Sequence, residues 1–585
     1  MGILHQETVK HIAIHIKAAI DLLTSSDSVE LSEIYHQITT PPHLEMGHLA
    51  FPVFQLAKLL KKAPVQIAQT LTTTIAKSEF IEDIQPAGPY VNFFLNLQQV
   101  SQRLIPQINQ GVFFKKKLIH KTEKIMIEYS QPNTHKILHV GHMRNLCLGN
   151  SLVRLNKYLG HEVIASTYPG DVGTHVAKCL WYLKYMNKEA LPNKNQGDWL
   201  GKIYILATKA MEEQKDTDQE ASNKQKLTMI LNQLEEKKGE FYELWQKTRQ
   251  WSLDLFNQTY AWADVTFDRW YFESEVDSSS LKRANKLKDD GYLVESLGAI
   301  GMDLSEDNLG FCIVIKSDGT GMYSTKDIEL AFSKFAEFNL DKSIYVVDKR
   351  QEFHFKQVFK VLEKIGFAHA KDCYHLQYDF VELPTGAMSS RSGNIIPLTD
   401  LVSQMEETIK ANFLNKYIGN WSESEIKLTA HIIADGAIKY GMLKMDPNRK
   451  IVFSMDEWLK LDGDTGPYLQ YVCARIHSML EKYNFNLNAN CDYDELSEPS
   501  EKSLVLKLMQ FNAIVTQAAS QSKPSLMCTY LYELSKIFNN FYAECPIGKA
   551  DNPKIQVMRL NLSQAVSMTI EKGLDLLGIK TPLRM

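Results

Sequence analysis

The sequence predicts an α/β chain built around a mostly parallel, doubly wound sheet. A smaller α+β unit precedes that sheet and an all-helical unit follows it. Three observations lead there. Between about residues 118 and 410, short apolar runs bounded by turn residues alternate with helical patterns, the mark of strands joined by crossover helices. From about 411 to 585 the apolar spacing is helical nearly throughout. Before 118 the pattern is mixed, and at 585 residues the chain exceeds what one core organises.

Composition narrows the function classes. With 44% hydrophobic and 23% charged residues the chain has the balance of an ordinary globular protein. Its net charge of -4 gives no overall sign of a nucleic-acid partner. A local basic cluster, Lys115, Lys116, Lys117, Lys121 and Lys124, fits an RNA-facing patch and a solvated linker equally well. The eight cysteines are scattered with no CxxC pair, which argues for reduced thiols and against a zinc site. No apolar run reaches membrane-span length. The start has Gln6 where a myristoylation motif needs Ser or Thr, and no signal-peptide core follows. The cytoplasm, without a membrane partner, is the expected location.

Taken in order, Val9 to Leu23 has helical periodicity, Pro41-Pro42 breaks the chain, and Phe51 to Leu60 opens another helical stretch. Pro86-Ala-Gly-Pro-Tyr90-Val-Asn92-Phe-Phe-Leu95 reads as a turn and a strand. Lys124 to Ile127 is a buried strand, and Leu146, Leu148, Leu152, Val153, Leu155 and Leu159 mark one face of a helix that Gly160 ends. Between them, His139-Val140-Gly141-His142 sits where the helix begins. Such a turn aims backbone N–H groups and the positive helix end at an anion. Gly141 leaves room for close approach, and the two imidazoles can donate to phosphate or ribose oxygens. The GxxxxGK[ST] phosphate loop is absent.

Glu162 to Tyr168 is a second strand, followed by Pro169-Gly-Asp-Val-Gly-Thr174. Residues 186–260 are charged and helical, of low complexity around Glu212 to Lys226, and read as an insertion between the halves of a nucleotide-binding fold. Strand character returns from Val265 to Glu273 and from Phe311 to Lys316; Tyr323 opens a helix. Ser343 to Asp348 is a strand and Gln351 to Ile365 a helix. Ligands of such a sheet gather at the carboxyl ends of its strands, where Glu128, Asn133, Tyr323, Asp327 and Gln351 fall. Near the end, Met527, Tyr530, Leu531, Leu534, Ile537, Phe538 and Phe541 form a 3.6-residue stripe that reads as core.

The string Ser130-x-Pro132-Asn133-x-x-Lys136-x-x-His139-Val140-Gly141-His142 resembles the signature of class I aminoacyl-tRNA synthetases, in the form used by arginyl-tRNA synthetases. The resemblance implies a Rossmann-like catalytic domain at 118–410, an additional tRNA-binding domain at 1–117 and an anticodon-binding bundle at 411–585. It implies that His139, Gly141 and His142 hold ATP, with Lys136 acting beside them. The loop Gly386-Ala387-Met388-Ser389-Ser390-Arg391-Ser392-Gly393-Asn394 aligns with the KMSKS-type mobile loop of the class, with Met388 and Ser389 at ATP and Arg391 as its cation. Here the sequence departs from the pattern: Ala387 stands for the first lysine and Ser392 for another. Developing charge on pyrophosphate still calls for a cation, which leaves Arg391 and Lys136.

By the same resemblance Glu128 and Asp327 face the guanidinium of arginine with Tyr323 beside them, while Asn133 and Gln351 hold the α-amino group. Tyr90 and Asn92 match the family's Tyr-x-Asn pair at the D-loop corner of tRNA, an aromatic for stacking beside an amide for a base edge; a plain strand is the competing reading. The implied reaction uses ATP with Mg²⁺, L-arginine and tRNA(Arg), passes through arginyl-adenylate, and in this family begins only with tRNA bound. The chain is expected to act as a monomer, with no resident metal and no tightly bound cofactor. Two other readings compete: a small nucleotidylyltransferase, which the helical C-terminal unit disfavours, and a degenerate synthetase acting as a non-catalytic RNA-binding protein, which Ala387 and Ser392 motivate.

Overall fold

Residues 3–24, 29–384, 386–387, 396–485, 491–550 and 552–585 are described by the structure, a computed structural model. The chain opens with α1 (Ile3–Thr24), α2 (Leu31–Gln37), β1 (Leu49–Pro52), α3 (Leu56–Leu60), α4 (Pro64–Thr74), β2 (Ile81–Ala87), β3 (Tyr90–Leu95) and α5 (Leu97–Asn109). The stripe Val9, Ile12, Ile16, Ala19 and Ile20 of α1 is buried, as its spacing requires. Phe51 does not open a helix. It lies in β1, which pairs antiparallel with β3 in a sheet of order β1-β3-β2, and Leu49, Ala50 and Phe51 are all buried. So short an apolar run ending in Pro52 carries no period by which helix and strand can be told apart.

The parallel sheet starts with β4 (Lys124–Glu128), then α6 (Val140–Leu159), β5 (Glu162–Thr167) and α7 (Thr174–Tyr185). Three helices form the insertion, α8 (Gln196–Glu213), α9 (Gln219–Glu235) and α10 (Glu240–Trp262), before β6 (Arg269–Trp270) and α11 (Glu273–Asp289). A meander of β7 (Val294–Ser296), β8 (Ala299–Asp303) and β9 (Phe311–Ile315) leads to α12 (Tyr323–Phe338), β10 (Lys342–Asp348), α13 (Glu352–Lys364) and β11 (Cys373–Tyr378). The five-stranded sheet has the order β11-β10-β4-β5-β6 and is parallel throughout. Its central strand β4 buries Ile125, Met126 and Ile127 against helices on both faces. The chain leaves β4 toward β5 on one side and returns to β10 on the other, so the switch point, and the crevice it makes, lies at Glu128.

Two expectations need correction. Of the run Val265 to Glu273 only Arg269 and Trp270 pair in the sheet, and Glu273 already begins a helix. The strand at Phe311 is outside the parallel sheet: β7, β8 and β9 form an antiparallel meander of their own. Its hairpin turns at Leu297 and Gly298, with φ of +51° and +79°. Leucine is not a residue that announces a left-handed turn position, so Gly298 alone gave only half of a hairpin signal.

The last third is α14 (Leu398–Ile409), α15 (Glu423–Leu443), α16 (Met455–Trp458), α17 (Gly466–Lys482), α18 (Pro499–Met509), α19 (Phe511–Ser520), α20 (Ser525–Glu544) and α21 (Pro553–Leu576). Met527, Tyr530, Leu531, Leu534, Phe538 and Phe541 of α20 are buried, so that stripe is core. Helix α6 is enclosed by the sheet on one side and by α15, α19 and α21 on the other. It is therefore buried nearly all round, not along a single face. Arg144 is 1% exposed and donates to the carbonyls of Met442 and, at 3.1 Å, of Asp446 beyond the end of α15. A cation on the last carbonyls of a helix is well placed. Gly149 is the point of closest approach: a Cβ there would sit 2.1 Å from Cγ of the fully buried Tyr129. Gly149→Ala should destabilise the protein by about 1–3 kcal/mol through overpacking. An unchanged melting temperature would show that Tyr129 can move aside.

Candidate active site

The HVGH turn carries the most informative geometry. His139 is the N-cap of α6; its Nδ1 accepts from the Gly141 N–H at 3.2 Å, and Nδ1 of His142 accepts from the His139 N–H at 3.1 Å. The two rings satisfy helix-terminal donors that otherwise lack partners. Because each Nδ1 is an acceptor, each ring carries its proton on Nε2. The rings lie 4.0 Å apart between centroids. Burial pushes His139 down to about 2, reinforced by His142 and Arg350, and pushes His142 down to about 4. Two neutral Nε2–H donors thus stand at the positive end of a 20-residue helix.

The residues that follow the KMSKS-type loop are fastened to this turn. Val140 N–H donates to Ile396 at 3.3 Å and Leu398 N–H to Leu138 at 2.9 Å. Met388, Ser389, Arg391 and Ser392 lie outside the described residues, as does the side chain of Ala387. Upstream, the loop from β4 to α6 has Ser130 and His135 at φ of +54° and +61°. Lys136 lies on this loop with its ammonium 5.3 Å from the centre of the Tyr204 ring. Asp171, of the Gly-Asp-x-Gly-Thr loop, is buried and saturated: it receives Arg249 Nε and Ser274 Oγ at 2.7 Å and Ser274 N–H at 2.9 Å. It ties the insertion to the sheet.

Beyond the carboxyl end of β4 the structure gathers carboxylates around the Tyr168 hydroxyl. The Tyr168 hydroxyl is buried without a hydrogen-bond partner. Burial, then the carboxylates of Asp327, Glu273, Glu128 and Asp171, raises its pKa well above the usual phenol range. Asp327 accepts from His354 at 2.5 Å. Burial lowers the His354 pKa, but the Asp327 carboxylate outweighs it and the net shift is upward. Tyr323 is 72% exposed on the same face of α12, which rules out a core role. Asn133 and Gln351 are exposed. A Cβ on Gly170 would come within 2.4 Å of the Asn133 amide oxygen, so that glycine leaves the space Asn133 uses.

Glu128 differs from its sequence reading. It is 3% exposed, one oxygen forms a 2.5 Å ion pair with the buried Lys334, off-line for a hydrogen bond, and the other accepts from Gln131 at 3.2 Å. Its charge is already matched, and Asp327 is the more open carboxylate. Asn92 also turns inward: it is buried and its amide donates to the Met46 carbonyl at 2.7 Å, so it presents no donor for a base edge. Tyr90 is exposed, edge-on to Phe54 at 5.8 Å.

Tyr168, Glu273, Lys334 and His354 were missed from sequence. Only Tyr168 and Glu273 had a signal, their place just past strand ends.

Neutral buried histidines have a pH consequence. Burial pushes His135 and His175 each to about 3, besides His139 and His142. Each binds a proton in the unfolded chain below about 6.5 but not in the folded one, so stability falls as pH falls. Their contribution is complete above about 6.5 and is lost progressively toward about 4 for His142 and lower for the others. Melting temperature should drop between pH 7 and 5, by an amount that shrinks in His175→Gln. A flat profile would mean these rings are protonated when folded.

Comparison with known proteins agrees in all three parts of the chain. The families described as tRNA synthetases class I (R), catalytic domain, as DALR anticodon binding domain and as arginyl tRNA synthetase N terminal domain match residues 103–455, 469–585 and 10–95. The chain is 50% identical over 583 residues to an arginine–tRNA ligase of Bdellovibrio bacteriovorus, covering 99% of this chain and 100% of that one. An arginine–tRNA ligase of Halothermothrix orenii is 32% identical over 569 residues, covering 97% and 99%. The solved arginyl-tRNA synthetase of Thermus thermophilus superposes with a TM-score of 0.80 at 26% identity, covering 97% of this chain and 99% of that one.

Proposed function

The chain belongs to the class I arginyl-tRNA synthetases, and from that premise we propose how its own residues divide the work. It is an arginine–tRNA ligase: it uses ATP to join L-arginine to tRNA(Arg). The non-catalytic reading finds no support. Two displacements make up the reaction. The arginine carboxylate attacks the α-phosphorus of ATP and pyrophosphate leaves; a ribose hydroxyl at the tRNA 3′ end then attacks the adenylate carbonyl and AMP leaves. Neither step needs a side-chain nucleophile, so rate comes from positioning and charge stabilisation.

The paired imidazoles at the helix end carry this reading. Their Nε2–H groups, aimed by Nδ1 acceptance, suit the oxygens of ATP as charge moves onto pyrophosphate. Lys136 brings a cation to the same phosphates, with Arg391, and Gly141, Met388 and Ser389 at the nucleotide. Mg²⁺ comes in with ATP as its phosphate complex; among the described residues no group of three or more His, Cys, Asp or Glu could hold a metal. Arginine lies with its guanidinium toward Asp327, Tyr323 and Glu128, and its α-amino group toward Asn133 and Gln351. Residues 1–117, with Tyr90 exposed, meet the outer corner of tRNA, 118–410 perform the chemistry, and 411–585 meet the anticodon. The enzyme works as a monomer in the cytoplasm. No helix among the described residues is long and apolar enough to cross a membrane, and all eight cysteines are free and buried.

His142→Ala should lower kcat by about 100-fold, the scale of one lost transition-state donor, with little change in the KM for arginine. His142→Asn can still accept from the His139 N–H, so it separates the lost cap from the lost donor. Full activity in either variant would leave His142 as a helix cap and nothing more.

A further inference from the structure

We propose that His135, held by the helical insertion, is a positioning residue for Lys136, and that fixing this lysine is one task of the insertion. The inference rests on the reading of Lys136 as a phosphate-binding cation. Lys136 sits on a ten-residue-scale connection between β4 and α6 that has no helix or strand of its own at that point. Its neighbour His135 has φ +61°, a left-handed backbone state that few residues with a Cβ adopt, Asn, Asp and His most often among them. The surroundings hold it. The His135 N–H donates to Ser252 Oγ on α10 at 2.9 Å, and its carbonyl accepts from Cys179 Sγ on α7 at 3.7 Å. Ring Nε2 lies 2.9 Å from Thr248 Oγ1, also on α10, and Nδ1 lies 2.9 Å from Thr134 Oγ1.

The proton positions follow. Thr248 already donates its hydroxyl proton to the Leu244 carbonyl of its own helix, at 2.9 Å. Its oxygen is therefore an acceptor, which places the His135 proton on Nε2 and makes Nδ1 an acceptor; the Thr134 hydroxyl, 2.9 Å from Nδ1 and 3.3 Å from the Gly170 carbonyl, donates to Nδ1 at the shorter distance. Every polar atom of His135 is thus committed, and the ring is wholly buried. Burial holds the ring neutral, its pKa pushed down to about 3, so the arrangement does not switch off in ordinary buffers.

The residues on either side of the lysine are fixed by the same helices. Ile137 packs so closely on α8 that a Cβ on Gly201 would come within 2.3 Å of it. The ring under the Lys136 ammonium, Tyr204, is on that helix too. A lysine is a point charge on a flexible stem, so the reach of its ammonium is set by where the stem is rooted. Here the root is clamped on one side by α10 and on the other by α8. In a chain with Ala387 where the mobile loop's first lysine belongs, that precision falls on this residue.

The test uses the full-length enzyme, with pyrophosphate exchange measured in the presence of tRNA and melting temperature recorded for each variant. Lys136→Ala sets the reference. Thr248→Val removes the hydroxyl at nearly constant shape, and His135→Asn keeps a residue that tolerates positive φ. Each should lower kcat by about 10- to 100-fold, the scale of an ångström of misplacement, while the KM for arginine stays within about twofold. Combined with Lys136→Ala, neither should lower kcat further, because both act through the lysine. Tyr204→Leu leaves the His135 anchors untouched and should cost about two- to fivefold in kcat even if the others fold poorly. The proposal is overturned if His135→Asn and Thr248→Val lower kcat as much without the lysine as with it, or lower only the melting temperature. Unchanged kcat in Lys136→Ala would overturn the reading of the lysine itself, and the proposal with it.

Discussion

Asp327→Asn should weaken arginine binding by about 2–5 kcal/mol, the cost of leaving a desolvated cation without its charged partner. The guanidinium needs a carboxylate in fork geometry, and among the acidic groups around Tyr168 the candidates are not equal. Asp171 is saturated by Arg249 and Ser274, and Glu128 is matched by buried Lys334. Burial raises the pKa of Glu273, which is paired with Lys326 at 3.4 Å. Asp327 is paired only with an imidazole among the contacts described, and its side chain is 18% exposed. It can therefore exchange His354 for a substrate cation at modest cost. The measurement is KM and kcat for arginine in pyrophosphate exchange, with His354→Gln as control. A large rise in KM for Asp327→Asn and a small one for His354→Gln fits direct contact. Equal effects would mean that Asp327 acts by joining α12 to α13. Values near wild type in Asp327→Asn would remove it from the arginine site.

How far the sequence showed this arrangement depends on whether a residue's role is local. The HVGH turn was legible because a strand run, a turn and a helical period fall in one short stretch, and the cap is made by the motif's own residues. The place of Glu128 at the carboxyl end of a strand was legible from the alternation of elements, while the strand order that makes it a switch point was not. Burial of Glu128 was not, because Lys334 comes from a helix far along the chain and no spacing rule links them. Asn92 turned inward for the same kind of reason: the Tyr-x-Asn match paired it with exposed Tyr90, yet Asn92 is covered by the segment that supplies the Met46 carbonyl. The meander was hidden by a leucine at a left-handed turn position. The insertion was legible as charged helix between two halves of the fold, but its hold on the loop of Lys136 was not, because the residues that reach that loop, Thr248, Ser252 and Tyr204, are uncharged and lie far along the chain from it.

Activation of arginine should itself require tRNA. On the proposed reading, with Ala387 in place of a loop lysine, Lys136 and Arg391 together serve the phosphates of ATP, and the free enzyme need hold the arrangement that joins them only rarely. A closed state populated at about 1% would keep exchange roughly 100-fold below its tRNA-bound rate. For tRNA to shift that balance it must bind the closed form more tightly than the open one. The contacts for such a bias exist. Helix α5 meets the C-terminal unit through Asn109, which donates to the Asn561 carbonyl of α21 at 3.1 Å, and through Gln98, which donates to the Asp494 carbonyl, in the turn before α18, at 2.7 Å. Helix α6, which begins with the two imidazoles, is joined to the same unit by Ser151 to the Leu576 carbonyl at 3.1 Å and by the Arg154–Asp575 pair at 3.0 Å. A tRNA held at both outer units therefore acts on one connected body that ends at His139. Pyrophosphate exchange would be measured with tRNA omitted, then with intact tRNA(Arg), then with tRNA lacking its anticodon arm. The expected order is near-background, full and intermediate. Robust exchange without tRNA would defeat the idea. Equal restoration by both tRNAs would keep the gating and free the C-terminal helices from it, and the acceptor end would then have to act on the crevice directly.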